Sequence, residues 1–278
     1  TSSAASDVYK RQGWHIMKER LGAGRMMVIW PLLTMFILFS SWGLSDPKVN
    51  LPASIVINSA YDVMFVATAF IVFSATMGAV LISFDGVSRD RLSGVLEVKL
   101  SQPINRSLYA RALLFGHWAA IFLPVMMLNL LSVLIIWYRI DDLPSLEELF
   151  IHTLGTALIL LWYTSIQLLA SSWAKDLGSS IAIGLGLWMI FTLLWLVLTT
   201  VVAGLSGVGV EDLSSADYVK IDAFMDLLSP NGLYHHILEM PLDDVDRGMS
   251  PWKISIAAIV WSIVPAYLLT RRLESIHP

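Results

Sequence analysis

The residues best placed to do chemistry lie in one polar segment, residues 85–111, which separates two long apolar runs. Its basic side chains are five in number: Arg89, Arg91, Lys99, Arg106 and Arg111. Its apolar side chains recur at roughly three-to-four spacing until Pro103 ends the run: Val87, Leu92, Val95, Leu96, Val98 and Leu100. This pattern predicts a short amphipathic helix beneath a membrane domain. The chemistry that such an element offers is non-covalent, namely a docking surface for another protein.

Polar side chains inside the apolar runs are a second set of candidates. Asn129 lies in the third run, and Thr164 and Gln167 lie in the fourth. Polar groups within a membrane are costly, so these three could line a path for a substrate. They could equally form hydrogen bonds between helices, each worth about 0.6 kcal/mol.

Carboxylates and histidines suggest a third possibility, an integral-membrane metal-dependent hydrolase. Glu147, Glu148 and His152 lie close together in sequence, and His235 is followed directly by His236. Such side chains can bind zinc. The HExxH and GxSxG signatures are both absent, and adjacent histidines on a helix point about 100° apart. The sequence therefore favours no metal and no catalytic residue.

Composition predicts a membrane protein. Of the 278 residues, 56% are hydrophobic and only 14% charged, whereas soluble domains carry about 25% charged residues. No basic patch is interleaved with aromatics, so nucleic acid is not an expected partner. The chain contains no cysteine and no GxxxxGK[ST] phosphate loop, which excludes thiolate chemistry and a phosphate-loop ATPase site in this sequence.

Six apolar runs predict an all-α integral membrane fold with six transmembrane helices in a lipid bilayer. None of the runs contains Asp, Glu, Lys or Arg, and each reaches the roughly 17 residues that cross the hydrocarbon layer as a helix. The predicted spans are 26–42, 63–84, 112–138, 149–174, 177–204 and 254–270.

The distribution of basic residues predicts the orientation. With the N-terminus inside, thirteen Lys and Arg residues lie on the cytoplasmic side and five outside, which together make the chain's 18. An excess of basic residues marks the cytoplasmic loops. Both termini are therefore expected in the cytoplasm, with the chain in the plasma membrane as a multi-pass protein.

The remaining segments complete the predicted organisation. Residues 1–12 are expected to be a disordered or non-native lead-in, and residues 13–278 the transmembrane domain. Residues 13–25 predict a helix lying in the inner headgroup layer, or simply a basic lead into the first span. The outer loop, 205–252, is acidic and predicts two short amphipathic helices broken at Ser229–Gly232. They could cap the span ends or form a solvated loop.

The polar segment resembles the cytoplasmic loop of ABC-2-type transporter permeases. In that family a charged residue, then Gly-Thr-Leu-Glu, a pair of leucines, Pro and Arg introduce the third span. Two positions differ here, since Val95 replaces the threonine and Lys99 one of the leucines. The matching residues are Gly94, Leu96, Glu97, Leu100, Pro103 and Arg106. The layout is also similar, with an interfacial helix, six spans and a large outer loop before the sixth.

The resemblance implies a fold and a function. It implies the ABC-2 (type V exporter-like) architecture, NosY-like in general layout, in which residues 85–111 form the coupling loop. Such permeases pair with an ABC ATP-binding subunit, which binds ATP and Mg, and with a second permease subunit as a homodimer or heterodimer. This chain would then be a transport subunit, an exporter without catalytic residues, in which Glu97 and Arg106 could hold the loop. A membrane assembly factor without transport is the remaining alternative.

Overall fold

The computed structural model describes residues 2–46, 48, 57–101, 105–209, 211, 213–242 and 247–276, with side chains from residue 9 onward. These residues form helices and connecting turns, and the described part of the chain contains no strand. The helices are α1 Ser2–Leu21, α2 Met26–Thr34, α3 Ser40–Leu44, α4 Ala60–Ser83, α5 Ser88–Leu92, α6 Val95–Ser101, α7 Arg106–Ile140, α8 Leu146–Trp173, α9 Leu177–Thr192, α10 Trp195–Leu205, α11 Ala216–Asp226, α12 Pro230–Glu239 and α13 Pro251–Glu274.

Six helical segments account for the predicted spans. By length and hydropathy, five stretches can each cross a membrane, and α9 with α10 can form a sixth. The first is continuous through α2, a π-helical turn at Met35–Phe39, and α3. The backbone groups of a helix form their hydrogen bonds within the same segment. A helix can therefore cross the lipid without leaving backbone groups unpaired.

The fifth predicted span, 177–204, corresponds to two helices rather than to one. Helices α9 and α10 meet at an angle of 58° around Leu193 and Leu194. At the bend the Asn231 side-chain amide donates to the Phe191 carbonyl at 3.0 Å and to the Thr192 hydroxyl at 3.1 Å. A kink of this kind needs an inserted polar partner, and Asn231 supplies it from forty residues away in the chain.

The N-terminal segment lies in α1. Residues 2–12, expected as a disordered or non-native lead-in, form the first half of α1. The helix is held by close packing on α7, where a Cβ added at Gly116 would lie 2.6 Å from the Ile16 side chain. The Asn105 N–H also donates to the Tyr9 hydroxyl at 3.0 Å. Tertiary contacts of this kind order a segment whose sequence has no strong signal of its own.

The outer loop forms two helices, α11 and α12, but the break falls earlier than predicted. It lies at residues 227–229, and Ser229 and Pro230 begin α12 as its N-cap and first residue. Helix α12 is buried against the spans, where the Tyr61 hydroxyl donates to the Leu238 carbonyl at 2.7 Å. The Tyr163 hydroxyl donates to the Asn231 side-chain oxygen at 2.8 Å. These contacts make α12 part of the bundle rather than a solvated loop.

Candidate functional site

The polar segment folds into two short helices, α5 and α6, rather than one. Ser93 ends α5, and Gly94 turns the chain with φ +71° before α6 begins at Val95. Positive φ is the left-handed region, where glycine has no steric penalty. In the segment that resembles the ABC-2 loop, Gly94 therefore allows the backbone to turn between α5 and α6. Pro103, the predicted end of the run, lies outside the described residues.

One face of this helical pair is buried. Leu96 is fully buried and Leu100 is 5% exposed. They pack with side chains from the starts and ends of neighbouring helices: Val87, Tyr109, Ala110, Leu113, Leu168, Leu169, Leu269 and Leu273. Burying a leucine side chain contributes about 1.5–3 kcal/mol, so this face fixes α6 against the bundle.

The other face is apolar and exposed. Leu92, Val95 and Val98 are 54%, 41% and 62% exposed, and Ser93 and Gly94 between them are also exposed. Exposed apolar groups grouped in this way mark sites of protein interaction. We call Leu92, Val95 and Val98 the apolar face of the loop.

Hydrogen bonds connect the loop to the end of α8. The Arg91 guanidinium donates to the carbonyls of Ser172 at 2.5 Å and Ala174 at 3.1 Å. The Ser171 hydroxyl accepts from the backbone N–H groups of Val87 and Ser88 at 3.1 and 3.0 Å. Carbonyls at a helix C-terminus lack partners within the helix, so a cation there is stabilising. These hydrogen bonds hold α5 against the end of α8.

Arg106 connects the same region to the sixth span. Its guanidinium donates to three carbonyls at the end of α13, those of Leu273 at 3.3 Å, Glu274 at 2.8 Å and Ile276 at 2.7 Å. Glu97 has no hydrogen bond to Arg106, and its buried Oε2 atom has no partner in the described part of the chain. Glu97 and Arg106, which were named together from the sequence, therefore share no hydrogen bond.

A group of short ionic contacts lies where α1, the first span and the second span meet. Asp85 is 4% exposed and accepts from Arg20 Nη1 at 2.5 Å and from Arg25 Nη2 at 2.6 Å. Arg25 also donates to the Leu81 carbonyl at 2.8 Å. Arg89 is a distant third partner at 3.7 Å, with its side chain 63% exposed. We call Arg20, Arg25 and Asp85 the ionic cluster.

The ionic cluster was not predicted from the sequence. Its signal was Asp85 itself, an acidic residue directly after an apolar run, with two arginines shortly before the first span. Buried charges need partners, so a carboxylate in that position predicts nearby cations. The sequence could not say which of the basic residues approach it.

The three candidates for a substrate path are all buried inside the bundle. Asn129 lines a small cavity of about 10 Å³, which is room for about one water molecule. Gln167 donates to the Ser180 carbonyl at 3.1 Å, while Thr164 has no side-chain partner among the described residues. No hydrogen bond joins Asn129 to either of the others in that part of the chain. Their path-lining role stays a prediction.

The residues named for a hydrolase are also dispersed. Glu148 forms a capping box with Ser145 at the start of α8, whereas His152 is buried beside the Asn129 cavity. The His236 Nε2–H group donates to the Ala223 carbonyl at 3.0 Å, and His235 contacts the Phe65 ring. Among the described residues, no three His, Asp or Glu side chains form a metal-binding group.

A second ionic group lies in the outer loop, where Arg247 bridges three carboxylates. Its nitrogens lie 2.5 Å from Asp222, 2.8 Å from Asp226 and 3.4 Å from Glu239. Burial and the neighbouring Asp226 raise the pKa of Asp222. Burial would also raise the pKa of Glu239, but the His236 hydrogen bond and the Arg247 charge outweigh it and lower that pKa. All four side chains line a cavity of about 460 Å³ at the bend of the fifth span.

Comparison with known proteins places the chain in a family. The model of the ABC-2 family transporter protein matches residues 17–274, which extend from the middle of α1 to the end of α13. A comparison with proteins of curated function finds no significant match. With its apolar spans and a family match over most of its length, this multi-pass chain belongs to the ABC-2 family and is a membrane-spanning permease component of an ABC transporter.

Proposed function

We propose that the chain is the permease subunit of an exporter in the plasma membrane, driven by ATP that a separate subunit hydrolyses. The observation that carries this is the two-sided loop. Its apolar face is free for a partner, while its other side is bonded to the ends of α8 and α13 through Arg91 and Arg106. A partner that moved this surface would tilt several spans together, a shear or hinge motion.

The proposal includes the partners that such a mechanism needs. The ATP-binding subunit docks on the apolar face and supplies ATP and Mg. A second permease subunit, identical or different, covers part of the fifth span, whose Gly186 has open space beside it. Small residues on a span let two helices approach closely. Asn129, Thr164 and Gln167 then tune helix packing rather than contact the substrate.

Charging the apolar face is expected to release the ATP-binding subunit. Replacing Leu92 and Val98 with aspartate places charge on half-exposed positions, so the fold should persist while docking weakens by roughly 30-fold or more, the effect of losing about 2 kcal/mol at an interface. The tagged chain is purified from its native host and the co-purifying ATPase activity measured.

Matched controls separate docking from folding. Leu146→Asp changes an apolar side chain that is 86% exposed at the opposite end of the bundle, and it should leave the ATPase bound. Charge reversal at Glu97 and at Arg106 tests those two residues separately. ATPase that stays bound to the Leu92→Asp/Val98→Asp variant would remove the apolar face from the docking surface.

The proposed orientation is tested by labelling a single cysteine. The native chain has no cysteine, so Val98→Cys supplies one accessible thiol in the loop. A membrane-impermeant maleimide added to intact cells should leave it unlabelled and should label it after lysis. Leu146→Cys, at the other end of the bundle, should show the reverse pattern. Labelling of Val98→Cys from outside would invert the topology and refute the mechanism.

A further inference from the structure

A groove between α1 and α7 lies apart from the coupling loop and has a distinct chemistry. It has a volume of about 410 Å³, within the range of small-molecule sites. Its walls are aromatic and aliphatic, with two basic side chains among them: Tyr9, Lys10, Trp14, Leu108, Arg111, Ala112 and Phe115. We call these residues the interfacial groove.

The groove lies at the depth of a lipid headgroup. Its residues on α7 run from Leu108 to Phe115, and the apolar third span begins in sequence at Ala112. Trp14 and Phe115 are 51% and 46% exposed, so their rings are open to a ligand or to lipid. Aromatic rings at this depth mark the boundary between headgroups and acyl chains.

The charge of the groove selects an anion. Arg111 is exposed and has no ion pair or hydrogen bond within the described residues. Among the side chains that the structure describes, from residue 9 onward, none that lines the groove is acidic. Lys10 adds a second cation on the facing helix. An anionic group with an apolar tail therefore complements the whole groove, whereas a free phosphate would leave its aromatic walls uncovered.

We propose that the interfacial groove binds an anionic phospholipid, with the phosphate between Lys10 and Arg111 and an acyl chain along Phe115. This inference rests on the proposed orientation, which places the groove in the cytoplasmic leaflet where anionic lipids are concentrated. The bound lipid holds the N-terminal part of α1 against α7, while the ionic cluster holds the C-terminal end of α1. The permease thereby depends on the anionic lipid content of its membrane.

The test counts bound lipid on the purified, delipidated chain by native mass spectrometry. Phosphatidylglycerol is titrated against phosphatidylcholine with the same acyl chains. We expect Arg111→Ala to weaken phosphatidylglycerol binding about fivefold, corresponding to about 1 kcal/mol per basic residue, and Lys10→Ala/Arg111→Ala roughly 25-fold. Arg111→Lys should restore most of the binding. Phosphatidylcholine binding should be weak in every variant.

Control variants distinguish a site from general attraction to charge. Arg11→Ala removes a cation next to Lys10 that does not line the groove, and Lys175→Ala removes an exposed cation near α9. Both should bind lipid within about twofold of the native chain, because the loss of about 1 kcal/mol per basic residue is expected only for residues that line the groove. Equal loss in these controls, equal binding of phosphatidylcholine, or displacement of the lipid by inorganic phosphate alone would overturn the proposal. The isolated chain suffices for this measurement, so a failed ATPase assay leaves its outcome unaffected.

Discussion

Replacing Asp85 with alanine is expected to destabilise the fold by about 3–5 kcal/mol, because it leaves the buried Arg20 and the partly buried Arg25 without their carboxylate. Arg20 and Arg25 approach Asp85 at 2.5 and 2.6 Å in a site almost closed to solvent. Breaking a buried pair by removing one partner costs more than the pair contributes, since the remaining charge is still desolvated. Unfolding of the purified protein in a denaturing detergent series measures the loss.

Two comparisons test the reason as well as the size of this effect. Arg89→Ala removes the exposed partner at 3.7 Å and should cost less than about 0.5 kcal/mol. Replacing all three residues of the ionic cluster with apolar side chains of similar volume should recover much of the stability lost in Asp85→Ala. If Asp85→Ala unfolds no more easily than Arg89→Ala, the cluster does not hold α1 to the second span.

The spans were predictable because lipid allows so few alternatives. A run of charge-free residues long enough to cross the bilayer must be helical, and each predicted span overlaps one of the long helical segments or, for the fifth, a bent helix pair. Helix starts depend on local caps, which sequence also encodes. Ser59 with Asp62, and Ser145 with Glu148, form reciprocal capping boxes that begin α4 and α8 a few residues before the apolar runs.

The bend of the fifth span and the order of α1 were not predictable, because both are decided by distant residues. The bend lies at two leucines, Leu193 and Leu194, where no proline or polar residue predicts it. The side-chain amide that stabilises the bend belongs to Asn231. Likewise α1 is ordered by Gly116 and by Asn105, which lie far along the chain. The hydropathy of a segment predicts whether it lies in the membrane. It does not predict which side chains contact one another.

The same limit applies to the candidate site. Periodicity identified the apolar residues of α5 and α6, but it assumed one helix, so it could not separate the exposed Leu92 and Val98 from the buried Leu96 and Leu100. The turn at Gly94 sets that division, since it redirects α6 after α5. Arg106 was named for the loop, and the sequence could not show that its guanidinium binds several carbonyls at the end of α13 at once.

Replacing Arg247 with alanine is expected to destabilise the outer helices by about 2–4 kcal/mol at neutral pH. The substitution removes the cation that three carboxylates share and leaves them facing one another. The expected loss is slightly below that of a fully buried pair because the Asp222 side chain is 30% exposed. Lys220→Ala, which removes a pair whose side chains are both 75% exposed, should cost less than about 0.5 kcal/mol.

The pH dependence shows whether charge is the cause. In the native chain the lowered pKa of Glu239 gives stability that is lost as pH falls through that pKa, while the raised pKa of Asp222 gives stability that is lost as pH rises through its own. Without the charge of Arg247, which lowers both values, the pKa values of Asp222 and Glu239 move upward. The deficit of Arg247→Ala should therefore shrink as pH falls toward about 4, where carboxyls take up protons. A deficit that is the same at every pH would mean that Arg247 stabilises the outer helices through the packing of its side-chain stem.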